Sequence, residues 1–135
     1  MAVIAPQPVL MSAAVLVLGT DNYELAVSSA QLVPTTPTQA FKGIGGGVIN
    51  IAGVPTWVLN LNYAQDIATA KSLSQILLTN VGKALPFTLR PVAGGPGYSG
   101  SVLAVPGPIG GDVDAVLTGT AALPVNGQPT QVAAA

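Results

Sequence analysis

The chain has 135 residues, half of them hydrophobic and only 7% charged, with a formal net charge of −1 and neither Cys nor His. That length suits one domain around one core. The missing Cys and His exclude disulfides, thiol nucleophiles and the usual soft or imidazole metal sites, and four cations scattered as Lys42, Lys71, Lys83 and Arg90 form no basic patch for nucleic acid.

Charge this far below the roughly 25% of ordinary soluble domains means that much of the surface meets either lipid or other chains. Lipid fits poorly. No apolar run approaches the roughly 20 residues of a spanning helix, and the longest, residues 13–18, is strand-sized. A secretory signal carries an early basic residue, whereas the first here is Lys42. Aromatics are 4% and do not pair at strand ends as the girdles of a membrane barrel do. No membrane insertion is expected, and burial against other chains is.

In chain order, residues 12–18 and 23–33 read as two strands of a hairpin joined by Gly19-Thr20-Asp21-Asn22. Residues 34–55 turn polar and permissive, with PTTPTQ, then Lys42, Gly43, Ile44, Gly45, Gly46 and Gly47, then a short VINIAG. A connector of that length is usually functional or disordered, so it is expected to be a contact loop that orders on assembly. In TWVLNLNYAQD the apolar period is two: Trp57, Leu59, Leu61 and Tyr63 share one strand face, while Asn60 and Asn62 lie on the other. The period then changes. In SLSQILLTNVG, Leu73, Ile76, Leu77 and Val81 recur at helical spacing, Ser72 and Gln75 suit a capping box, and Gly82 suits a stop.

Residues 85–92 alternate again, the glycine-proline turn 94–97 follows, and residues 98–105 form a strand broken by Pro106-Gly107-Pro108. Residues 112–123 read as a last long strand, residues 124–129 as a turn around Asn126-Gly127, and residues 130–135 as a loose tail. With about seven strands and one helix, the chain is expected to be mainly β, an antiparallel sandwich or small barrel with one flanking helix.

Candidate chemistry is sparse. The glycines 43–47 follow Lys42 and precede a β-branched run, unlike phosphate-cradling loops, which open a helix. Ser72 beside Lys71 lacks Ser-x-x-Lys spacing and serves better as a cap. Asp112 and Asp114 would share a strand face, but Val, Ala and Leu neighbours leave too few oxygens for Ca²⁺. Trp57, Tyr63 and Tyr98 could form a sugar-stacking platform, although Trp57 and Tyr63 share their face with core leucines. No enzyme activity, metal or cofactor is expected.

The succession TWVLNLNYAQD, SLSQILLTNVGK, LPFTLRPVAGG, SGSV and IGGDVDAVLTGTAALPVNGQP resembles the major tail (tail tube) proteins of long-tailed bacteriophages, in the short form without an added immunoglobulin-like domain. The likeness covers residues 56–129 closely and residues 1–55 loosely. It implies a β-sandwich flanked by a helix, hexameric rings stacked into a hollow tube, and DNA leaving through the bore without specific binding. It also implies a place in the virion after assembly in the host cytoplasm. Tail terminator, tape-measure and baseplate or tip proteins would be the partners. On that footing Asn60 and Asn62, with Asp112 and Asp114 behind them, are candidates for the lumen wall. Lys42 to Gly47 would form the intersubunit loop, and Leu73, Ile76 and Leu77 would pack the helix. A capsid decoration or cement protein and a carbohydrate-binding adhesin module are the alternatives.

With so few charges, self-association should be driven by apolar burial and backbone pairing and should change little between low and physiological salt. Light scattering across salt concentrations checks this; a persistent monomer at high concentration would contradict it.

Overall fold

The computed structural model describes residues 1–134 and places ten strands and one helix among them. In chain order these are β1 (Val15–Leu18), β2 (Asp21–Asn22), β3 (Val27–Thr35), β4 (Thr38–Lys42), β5 (Val48–Ala52), β6 (Thr56–Ala64), α1 (Leu73–Thr79), β7 (Ala84–Arg90), β8 (Gly97–Leu103), β9 (Thr118–Pro124) and β10 (Thr130–Val132). They form three antiparallel sheets: β10-β8-β7-β1-β2, β3-β6-β9 and β4-β5. The chain is mainly β with one short helix, and among the described residues no sheet closes into a barrel.

The period-two pattern of β6 positions the core. Leu59, Leu61 and Tyr63 are buried, while Asn60 and Asn62 between them are exposed. The buried side joins Ala121 and Leu123 of β9 to Leu16, Leu18, Phe87, Leu89 and Val102 of the five-stranded sheet, so the two larger sheets share one core. Each fully buried Leu or Phe contributes about 1.5–3 kcal/mol relative to exposure. Leu73 and Leu77 of α1 enter the same core and Ile76 packs at its margin. A helix of 7 residues is too short to persist alone, so this packing sustains it.

Its ends follow the sequence in part. Ser72 Oγ accepts from the Gln75 amide at 3.4 Å and donates to the Asp66 carbonyl at 2.7 Å. The reciprocal half of the capping box is absent, because the Gln75 side chain donates instead to the Ile67 carbonyl at 3.1 Å. Asn80 caps the C-terminus, Gly82 follows at φ 81°, and Val81 is exposed beyond the last turn instead of extending the apolar stripe.

Four expectations need correction. Residues 12–18 and 23–33 do not form one hairpin. β1 turns through Gly19 into the two residues of β2 and pairs on its other edge with β7, while β3 crosses to the other sheet and pairs with β6. Tyr23 causes the divergence: its ring is buried, its hydroxyl donates to the Lys71 carbonyl at 3.0 Å, and its own carbonyl accepts from the Ala26 amide in a turn. Residues 34–55 are not an irregular loop, since the β3–β6 ladder runs to Thr35 and Thr56, breaks where Gly53 donates to the Pro37 carbonyl, and resumes as β4–β5. The last long strand covers only Thr118–Pro124. Ahead of it, Gly110 and Asp114 have φ of 98° and 61°, and the Gln65 side chain clamps the segment through Gly110 and the Thr118 carbonyl. The expected loose tail begins as β10, paired with β8, and Arg90 donates to the Ala133 carbonyl at 2.8 Å; Ala135 lies outside the described residues.

Leu77→Asp should abolish folded protein by circular dichroism, because an uncompensated charge in this helix–sheet contact costs several kcal/mol. Gly97→Ala should lower the melting temperature: an added Cβ would overlap the Leu89 carbonyl oxygen across the β7–β8 ladder. An unchanged melt for Gly97→Ala would contradict that register.

Candidate assembly surfaces

Strands β4 and β5 continue the β3–β6 hairpin beyond the core as a two-stranded arm. Gly43 donates to the Gly47 carbonyl and Gly46, at φ 94°, donates back to the Gly43 carbonyl, so the glycine run is a hairpin turn rather than an anion cradle. Register pairs Phe41 with Ile49 and Gln39 with Ile51 on one arm face, and Lys42 with Val48, Ala40 with Asn50 and Thr38 with Ala52 on the other. Every residue of both strands is exposed. Phe41, Ile49 and Ile51 are about 60% exposed, and Ile44 at the tip is fully exposed. A two-stranded hairpin with no core of its own is marginal in water. This one presents an apolar face and unpaired edges, the two features that recruit another chain.

The second surface is the outer face of β3-β6-β9. Gln31 stands opposite Asn60, and Ser29 and Thr120 flank Asn62. Thr118 extends the row beside Ala64. All six polar residues are exposed and none is ionisable, so the face presents amides and hydroxyls interleaved with the exposed Ala64 and Ala122. Asn60 and Asn62 therefore share the predicted face. Asp112 and Asp114 do not join them; both lie ahead of β9, Asp114 in a left-handed turn, so the argument from strand alternation lapses for this pair.

The ionisable groups with shifted behaviour have structural causes. Burial pushes the Tyr23 hydroxyl up, with Asp21 adding to it. Burial also raises Tyr63, partly opposed by its hydrogen bond to Gly107. Asp66 lies below its usual value because the Thr69 side chain, then the Thr69 and Ala68 amides, bond its carboxylate. A lowered folded value means that Asp66 contributes stability above the unfolded carboxylate range, lost as pH falls through the folded value. For the two tyrosines the sign reverses: their contribution is complete below about pH 10 and fades as pH rises.

One feature escaped the sequence, and a second was found only in part. The apolar row Phe41, Ile49 and Ile51 was detectable as alternation in TQAFK and VINIA, but prolines and glycines on either side masked it. Trp57 and Tyr98 line one hollow with Leu32, Gln128 and Pro129, whereas Tyr63 is buried in the core. The Trp57 indole N–H is buried without a partner.

Hydrogen exchange of the amides of Ile49 and Ile51 should be fast in the free subunit and slow after self-association, because the isolated arm is marginal. Equal protection in both states would sink the idea of a contact arm. Deleting residues 43–47 should leave the melting temperature within a few degrees of the parent and block assembly.

Neither a protein-family model nor a curated protein matches this chain.

Proposed function

We propose that the protein is a structural, non-enzymatic subunit of a phage tail tube, which assembles into stacked hexameric rings and forms the conduit for DNA ejection. The exposed β4–β5 arm carries this reading. It is ordered as a ladder, apolar on one face and external to the core, and a second copy of the chain would cover it. The two larger sheets around one core, with α1 packed against it, correspond to the β-sandwich and flanking helix that the tail-tube resemblance implies.

The bore is assigned to the outer face of β3-β6-β9. A wall of Asn, Gln, Ser and Thr offers no cation to phosphate, and DNA passes it without being gripped. Open edges on β3 and β9 give this sheet the means to continue into neighbours around a ring. Terminator, tape-measure and baseplate or tip proteins would meet the ends and interior of such a tube. The chain needs no cofactor for this work, and the virion is its place.

The hollow lined by Trp57 and Tyr98 favours a second reading, a carbohydrate-binding adhesin module, since an aromatic pair beside the Gln128 amide suits a sugar face. Electron microscopy of the purified protein separates the two: rings or tubes support the first, and dispersed monomers that bind glycans support the second. Dispersed trimers would favour a capsid decoration protein.

Asn62→Lys repeats one positive charge around every ring, and many weak phosphate contacts add along the tube. Tubes of this variant should assemble while DNA ejection, measured as infectivity or released DNA, falls roughly tenfold or more. Normal ejection through assembled variant tubes would show that this face does not line the bore.

A further inference from the structure

A cleft of about 310 Å³ opens where β1 and β7 of one sheet meet β3 of the other. Leu16, Leu25, Val27, Ala30 and Leu89 give it an apolar lining, and Glu24 supplies its only ionisable group. The Glu24 carboxylate is half committed: Oε1 accepts from the Asn22 side chain at 3.2 Å, whereas Oε2 is shielded from water and has no hydrogen-bond partner. A carboxylate oxygen withdrawn from water without a donor is unfavourable until a cation or donor reaches the group. Among the chain's four cations, Arg90 is engaged by the Gly95 and Ala133 carbonyls. Lys42 is the one carried on the arm, two residues from the fully exposed Ile44.

We propose that this cleft is the receptor for the arm tip of a second copy, with Ile44 entering the apolar lining and the Lys42 ammonium meeting the Glu24 carboxylate. The inference rests on the tail-tube reading and names the surface on which its arm lands. Charge complementarity selects the partner, since an apolar cleft with one carboxylate matches an apolar tip with one ammonium. The pair fixes register while apolar burial supplies the attraction, so weak salt dependence is retained. The tip and the cleft lie on different parts of the molecule. Repeated in one direction, such a contact is heterologous, and where its rotation does not close it builds an open stack.

Because the chain has no Cys, Lys42→Cys and Glu24→Cys subunits carry one thiol each. Mixed in equal amounts, assembled and treated with a bis-maleimide that spans the length of a Lys–Glu pair, they should give a crosslinked heterodimer on a denaturing gel that neither variant gives alone. Tubes visible by microscopy without that product would overturn the cleft assignment and leave the tail-tube reading standing. Linkage of Glu24→Cys to a Val3→Cys subunit in place of Lys42→Cys would give the cleft to the exposed N-terminal segment and also overturn it. Glu24→Lys should raise the protein concentration needed for stacking about tenfold or more, and adding Lys42→Glu should restore it. Unimpaired stacking of folded Glu24→Lys would count against the pair. If the parent chain forms no assemblies, both this inference and the reading beneath it fail.

Discussion

The period-two alternation of β6 is the constraint on which the other parts depend. It fixes which side of the strand is apolar, and a slip of one residue would carry Leu59, Leu61 and Tyr63 to the surface and both asparagines into the core. With that register set, β3 and β9 must align their own alternation to it: Ala30, Leu32, Ala121 and Leu123 then face inward, and Ser29, Gln31 and Thr120 outward. The five-stranded sheet closes over the inward side, and α1 covers what remains through Leu73 and Leu77. The neutral outer face is thus the complement of the core.

The same ladder produces the arm. β3 and β6 remain paired to Thr35 and Thr56, beyond the residues the core needs, and the direction of the hairpin is already set where β4 and β5 begin. A hairpin of 5 residues on each side could not hold its register alone. Joined to a packed sheet, it inherits one. Apolar Phe41, Ile49 and Ile51 can therefore be displayed without a core behind them.

How much of this was legible in the sequence depended on distance along the chain. β6 and α1 were visible because each has an uninterrupted period, two in TWVLNLNY and helical in LSQILL, and because Ser72 and Gly82 mark the helix ends locally. The start of β9 lies six residues later than its composition suggests, for a non-local reason. DVDAVL has strand-like composition, but Gln65, 45 residues earlier, holds Gly110 and turns the segment away from the sheet. β10 likewise exists only through its pairing with β8, and no property of TQV alone distinguishes it from a free tail. The arm was hidden in another way. Pro34 sits at the end of β3, but Pro37, Pro55 and the glycines are real breaks that fall between strands rather than within them. The outward asparagines were found because they share the strand that was best determined; the two aspartates were lost with the strand that was not.

A chain this poor in charge meets a problem of discrimination. Apolar patches and open strand edges attract many partners and tolerate register slips, since neither dispersion nor a backbone ladder distinguishes one neighbour from another by much. Specificity must then come from shape and from the few polar groups available. The molecule concentrates that information in two ways. Its β3-β6-β9 sheet carries on the outer face neutral amides and hydroxyls interleaved with Ala64 and Ala122 and no ionisable group. Its arm bears one cation beside the turn, and the cleft between the sheets bears one carboxylate with an unpartnered oxygen. In a strongly charged protein such a pair would be one among many and would specify little. Here low overall charge would give the proposed pair of Lys42 and Glu24 the weight to set which surface the arm occupies.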